Sequence, residues 1–141
     1  MQMEVTVNRI AYIGIDVHKD TYSICTFNEE TNVFENEVVV GAEPKNVEKY
    51  LKRLEHESCK LSKSVDYLIG YEAGPTGFGL KRTLEAHGYK CRIMAPTTIC
   101  TEAGGRKVKT DRLDARKIAK ALYWGAYKEV VPLSPEDEAV I

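Results

Sequence analysis

The chain has 141 residues, of which 43% are hydrophobic and 29% charged, and its formal net charge is −1. This length and composition predict one globular domain and exclude a disordered, collagen-like or low-complexity chain. No apolar stretch approaches the roughly 18 residues that span a bilayer, and the N-terminal residues lack a signal-peptide pattern. We therefore expect a cytoplasmic protein with no membrane partner.

The near-zero net charge conceals two segments of opposite sign. Residues 101–128 contain eight basic and three acidic side chains, a net charge of +5, whereas residues 129–141 contain four acidic side chains and no basic one. Such local asymmetry indicates a polyanionic partner better than the overall charge does.

The four cysteines do not form a metal-binding motif. They are separated by 34, 32 and 9 residues, which matches neither Cys-x-x-Cys nor Cys-x-x-x-Cys. We expect reduced thiols in or near the core rather than a zinc cluster. The residues are Cys25, Cys59, Cys91 and Cys100.

Three strands are predicted in the first third of the chain. Residues 11–16, 21–27 and 33–40 are rich in β-forming side chains, and the segments between them are short and polar. Short links favour antiparallel pairing, so we expect a three-stranded meander.

Helices and strands alternate in the next part of the chain. Apolar residues at helical spacing predict a helix over 44–57, and an apolar run predicts a strand over 65–71. A second helix is expected over 78–87, where Gly88 ends it, and a fifth strand over 89–94.

The last part of the chain is predicted to contain one helix. Residues 97–110 show no regular pattern, and Thr110 is a suitable N-cap for a helix over 111–126. The proline-containing tail reads as a connector, so we divide the chain into a domain over 1–128 and a connector over 129–141.

The predicted element order is β-β-β-α-β-α-β-α. This order indicates an α/β domain with a mixed five-stranded sheet, which is the arrangement of the ribonuclease-H-like fold.

Four carboxylates are placed so that they can converge at one edge of this sheet. Asp16 and Glu72 end two strands that the fold makes neighbours, while Asp111 and Asp114 have the i, i+3 spacing of one face of a helix's first turn. Converging carboxylates need cations, and Mg²⁺ or Mn²⁺ prefers such oxygen ligands. Two ions would suit phosphodiester chemistry. The alternative is that each acid is structural, because strand ends are exposed and acids favour helix N-termini.

Basic side chains surround these acids and are candidates for holding a nucleic acid backbone. The alternative is a solvated helix face. Lys19 follows Asp16 closely and can contact a phosphate, and His18 can orient a carboxylate, although both fit a turn equally well. The candidates are Lys19, Arg106, Lys107, Lys109, Arg112, Arg116 and Lys117.

Four aromatic residues have two interpretations. They can stack on nucleobases or belong to the packed interior. They are Tyr71, Phe78, Tyr123 and Trp124.

Three segments of the chain resemble signature blocks of a known family. GIDVHK at 14–19, YEAGPTGFGL at 71–80 and KTDRLDA at 109–115 are similar to those of the DEDD insertion-sequence transposases. That family includes the Piv-type DNA invertases and the bridge-RNA-guided recombinases. The resemblance extends over about residues 10–127.

The resemblance implies a RuvC-like domain whose four catalytic acids fall on Asp16, Glu72, Asp111 and Asp114. It also implies Mg²⁺-dependent breakage and joining of DNA during transposition, guided by a structured RNA. Family members carry a further C-terminal domain, reached through a coiled coil, that supplies a nucleophilic serine. We expect that serine to lie outside this chain, the fragment to be inactive alone, and the full-length protein to be a homo-oligomer. Ser134 reads as a helix N-cap.

Three other functions remain as alternatives. A sugar-kinase or actin-like ATPase half would need a glycine- and hydroxyl-rich hairpin after Asp16, which the sequence lacks. A stand-alone nuclease or junction resolvase would use the same carboxylates. A non-catalytic module that only binds nucleic acid would not bind a metal ion.

Overall fold

A five-stranded mixed sheet forms the centre of the molecule. The computed structural model describes residues 9–60, 65–74, 77–100, 108–111 and 113–132, without the side chains of 59–60, 97–100 and 108–111. The sheet has the order β3-β2-β1-β4-β5. Its strands are β1 (Arg9–Val17), β2 (Thr21–Asn28), β3 (Val33–Gly41), β4 (Val65–Glu72) and β5 (Lys90–Met94).

The pairing within the sheet confirms the predicted ribonuclease-H-like fold. β1 pairs antiparallel with β2 and β2 with β3, as the short links require. β1 pairs parallel with β4 and β4 with β5, because each of these connections contains a helix that returns the chain to the same edge. The central strand β1 therefore has an antiparallel neighbour on one side and a parallel one on the other.

Helices cover both faces of the sheet. α1 (Pro44–Lys60) and α2 (Gly79–Ala86) bury their apolar faces against one side, where Leu51 and Leu84 meet Ile13 and Ile69. α3 (Ala115–Trp124) covers the other side through Ile118 and Leu122, which pack with Met94. Side chains alternate along each strand, so odd-numbered positions of β1 face α1 and even-numbered ones face α3.

The prediction of irregular structure over 97–110 is wrong in part. β6 (Thr97–Cys100) and β7 (Val108–Asp111) form a separate antiparallel pair in which Thr97 is opposite Asp111. Strands of four residues are too short to show a clear alternation of apolar and polar side chains. Backbone pairing therefore left no clear signal in the composition.

The prediction that Thr110 caps the last helix is also wrong. Thr110 and Asp111 belong to β7, and the N-cap of α3 is Asp114, whose Oδ1 accepts a hydrogen bond from the backbone N–H of Lys117 at 2.8 Å. Thr and Asp are both good caps, and strand pairing with β6 removes the first from use. Asp111 and Asp114 consequently do not share a helical turn.

α3 ends earlier than the predicted residue 126. Gly125 adopts φ 67°, ψ 21°, the left-handed conformation that favours glycine after a helix. The chain then runs along β5: the N–H of Ala95 donates to Lys128 O and that of Val130 to Ile93 O. The start of the predicted connector thus contacts the sheet, and the domain boundary at 128 stays a prediction. None of the helices in the described ranges has the length and apolar character needed to cross a bilayer.

Candidate active site

Asp16 and Glu72 lie side by side at the carboxyl edge of the sheet. β1 and β4 are parallel and in register, with Gly14 opposite Gly70 and Ile15 opposite Tyr71. The next pair is Asp16 and Glu72, so both side chains leave the same face of strands that lie about 4.8 Å apart. Both are partly buried, and only 16% of the Asp16 side chain is exposed. The predicted adjacency of the two strands is confirmed, and the role of the two acids stays a prediction.

The Asp16 carboxylate has a fixed neighbour in His18. Nε2 of His18 lies 3.0 Å from Oδ2 of Asp16. The backbone N–H of His18 donates to Thr21 O at 2.9 Å, which closes the turn into β2. His18 is therefore a turn residue and also holds one oxygen of Asp16, so both interpretations of this position apply.

The N-terminus of α3 approaches the same edge of the sheet. A Cβ built on Gly14 would lie 2.1 Å from the carbonyl oxygen of Ala115, so the first residue of α3 rests directly on β1 two positions before Asp16. Asp114 precedes Ala115 and is exposed. Its Oδ1 caps the helix, which leaves Oδ2 as the oxygen available to a ligand. Asp114 thus has a structural role as the helix cap and directly precedes the residue that rests on β1.

Asp111 reaches this edge through the hairpin. β6 begins at Thr97, a short link after β5 ends at Met94, and Asp111 is opposite Thr97. Its backbone therefore lies near the carboxyl end of the parallel strands. The Asp111 side chain is outside the described ones.

The donor set at this edge consists of carboxylate oxygens. No three Asp, Glu, His or Cys side chains form a closed metal-ligand cluster among those described, which exclude Asp111. Carboxylates without thiolate ligands fit hard divalent cations such as Mg²⁺ or Mn²⁺ and do not fit a structural zinc site.

The predicted nucleic-acid-binding residues fall into two groups. Lys19, Arg116 and Lys117 have exposed side chains, Lys19 in the turn after β1 and the other two in the first turn of α3. These three border the carboxylate edge. The remaining four lie outside the described residues or have undescribed side chains: Arg106, Lys107, Lys109 and Arg112.

Arg116 makes contacts that sequence reasoning missed. Its Nε donates to Glu37 Oε1 at 2.6 Å, and its guanidinium lies 5.2 Å from the centroid of the Phe34 ring. The hydrogen bond with Glu37 raises the pKa of Arg116. Both partners come from β3, about eighty positions earlier in the chain, and no local pattern connects them.

The four candidate stacking residues also divide. Tyr71 is 1% exposed and donates to Gly77 O, while Phe78 packs against the core, so these two belong to the interior. Tyr123 and Trp124 are 37% and 67% exposed. Only the residues at the end of α3 remain accessible to a partner.

Comparison with known proteins identifies one family. A family model described as a transposase, of the DEDD type found in IS110 elements, matches residues 13–141. The match contains all four candidate acids and the elements that position them.

Two relatives cover nearly the whole chain. The transposase for insertion sequence element IS1533 of Leptospira borgpetersenii is 31% identical over 135 residues, which are 95% of this chain and 37% of the relative. The putative transposase y4qE of Sinorhizobium fredii is 30% identical over 141 residues, or 94% of this chain and 32% of the relative. The chain thus spans about a third of the length of the curated relatives it matches.

Proposed function

The chain belongs to the DEDD transposase family of IS110 elements. We propose that it is the metal-dependent catalytic domain of an enzyme that breaks and joins DNA during transposition. The single observation that supports the proposal is the parallel register of β1 and β4, in which Ile15 is opposite Tyr71, so that Asp16 and Glu72 are the next residues of the two strands. Acids brought together in this way repel one another unless a cation lies between them.

The residues that would hold Mg²⁺ or Mn²⁺ are Asp16, Glu72, Asp111 and Asp114. Two such ions, when bound, supply Lewis-acid stabilisation of the phosphodiester oxygens. The protein's own part is positioning. β1 and β4 fix two carboxylates through backbone pairing, His18 holds Oδ2 of Asp16, and the cap hydrogen bond orients Asp114.

DNA is the proposed substrate, and a structured guide RNA is a proposed partner of the full-length protein. Lys19 and Lys117 border the acids and have exposed side chains that suit phosphate contacts. The proposed assembly is a homo-oligomer in which a further domain supplies a serine nucleophile. The isolated domain is then expected to bind metal without recombining DNA.

A Mn²⁺ titration tests the metal site directly. We expect calorimetry and thermal unfolding to show saturable binding and stabilisation of this chain, because the ion relieves carboxylate repulsion. Asp16→Asn and Glu72→Gln should abolish both signals. Asp66→Asn is the matched control, since Asp66 is exposed on the same face of β4 at the opposite end of the strand.

The outcomes separate the alternatives. Loss of binding in Asp16→Asn but not in Asp66→Asn supports the four-acid site. Equal binding by the wild type and Asp16→Asn contradicts it. Absence of Mn²⁺ binding by the wild-type protein contradicts the proposal for this domain and favours a non-catalytic module that only binds nucleic acid.

A further inference from the structure

A shallow groove of about 490 Å³ runs between α3 and the edge strand β3. We call it the α3–β3 groove. None of the described residues covers the groove. Asp114 is among the residues that line it, so the groove adjoins the candidate active site. Its principal lining residues are Phe34, Leu113, Arg116, Lys117, Lys120 and Trp124.

A connected series of aromatic rings links two residues that line this groove, Phe34 and Trp124. Phe34 lies 5.3 Å from Phe27, Phe27 lies 5.2 Å from Tyr123, and Tyr123 lies 5.2 Å from Trp124, measured between ring centroids. These contacts support the Trp124 ring, yet 67% of the residue stays exposed. A large aromatic side chain that is held by neighbours and exposed to solvent is suited to stacking on a partner.

Cations lie beside the rings. Nζ of Lys120 is 5.4 Å from the Phe27 centroid and 5.9 Å from that of Phe34, and the Arg116 guanidinium lies over Phe34. Lys117 is exposed on the same helix. Three cations outnumber the two nearby acids, Asp114 and Glu37, which favours a polyanion over an apolar helix as the occupant.

We propose that the α3–β3 groove binds an unpaired stretch of nucleic acid, with a base stacked on Trp124 and phosphates beside Lys117 and Lys120. An exposed aromatic ring together with neighbouring cations is the combination that single-stranded binding sites use. The proposal rests on the proposed function in one respect: the strand held here continues from the DNA engaged at the carboxylate edge. The proposed occupant is therefore single-stranded DNA, and RNA, which presents similar bases and phosphates, is the other outcome of the test.

Trp124 provides a direct readout because it is the single tryptophan of the chain. Its fluorescence is followed while oligothymidylate or oligouridylate of about 12 nucleotides is added. We expect both strands to quench it, whereas an abasic strand of equal length and charge should not. Stronger quenching by oligothymidylate supports DNA as the occupant, and stronger quenching by oligouridylate contradicts it.

Variants assign the binding to the groove. Fluorescence anisotropy of labelled strands should show about tenfold weaker binding by Trp124→Ala and near-normal binding by Trp124→Phe. Lys120→Gln should reduce the dependence of the affinity on salt concentration. The controls are Val131→Ala, at an exposed apolar residue outside the groove, and Lys52→Gln, on α1 across the sheet; neither should matter.

Two further results would overturn this proposal. Strands that bind by anisotropy without quenching Trp124, and equally well to Trp124→Ala, occupy another surface. If the protein binds neither strand, the proposal is wrong and a protein segment becomes the favoured occupant of the groove. Trp124→Ala should bind Mn²⁺ normally, so a negative result for strand binding would not contradict the proposed metal site. A negative Mn²⁺ titration would likewise not affect the test of strand binding by Trp124 fluorescence.

Discussion

Gly14 and Asp16 occupy alternate positions of β1, and strand periodicity turns both toward α3. The glycine has no side chain, so the backbone of Ala115 can rest on the strand. The acid two positions later then lies at the edge that the helix N-terminus approaches. The close contact between Gly14 and Ala115 therefore places the N-terminus of α3 within two residues of the Asp16 carboxylate along β1.

Replacement of Gly14 by alanine should destabilise the domain strongly. The new Cβ would lie 2.1 Å from Ala115 O and 2.5 Å from Ala119 N, and both are backbone atoms that cannot turn away. We expect a loss of about 3 kcal/mol in the free energy of unfolding, measured by urea denaturation. Gly79→Ala, where a Cβ meets nothing within 4 Å at the start of α2, is the control. A loss below that of Gly79→Ala would contradict the close approach.

α3 connects the candidate site to the rest of the molecule at the level of whole elements. Its first turn carries the Asp114 cap and the Arg116 contact with β3, and its middle buries Ile118 and Leu122. The left-handed Gly125 ends it, which leaves Trp124 exposed beside the α3–β3 groove. One amphipathic helix thus serves the site, the core and the proposed strand-binding surface.

Substitutions of Asp114 should separate its capping role from its charge. Asparagine caps a helix as well as aspartate does, so Asp114→Asn should leave stability nearly unchanged. Asp114→Ala should cost about 1 kcal/mol, because the Lys117 N–H loses its acceptor. Both variants should weaken Mn²⁺ binding in the calorimeter. Unchanged Mn²⁺ affinity in Asp114→Asn would show that Asp114 caps the helix and is not a metal ligand.

At the scale of the whole molecule, the two helical layers enclose ionisable groups in apolar surroundings. Cys91 on β5 is fully buried, and burial raises the pKa of its thiol to about 12. The Cys25 pKa is likewise raised by burial to about 12. Both thiols are free, as the sequence predicted for the cysteines. Unfolding exposes them to water, where thiols ionise near pH 9.

The domain should therefore lose stability in alkaline solution. Between about pH 9 and 12 the unfolded chain releases thiol protons that the folded chain retains, so the free energy of unfolding falls as pH rises. Each such thiol contributes a slope of up to about 1.4 kcal/mol per pH unit. Cys91→Ala should flatten the slope by about one thiol's share, measured by urea denaturation across this range. An unchanged slope would show that Cys91 ionises equally in both states.

The amino-acid sequence by itself determined the five strands of the central sheet, the presence of three helices and the two acids near the carboxyl ends of β1 and β4. These features depend on local periodicity and on strand ends, which neighbouring residues encode. The motif resemblance identified the family, and the family model confirms it.

Only the tertiary structure decided which residues meet across the fold. The sequence predicted Thr110 as the cap of the last helix, whereas the pairing of β7 with β6 places Thr110 in a strand and Asp114 is the cap. The contact between Arg116 and Glu37 and the packing of Tyr123 against Phe27 of β2 join distant segments. Such contacts depend on how elements are arranged in space, and local sequence patterns carry no record of that arrangement.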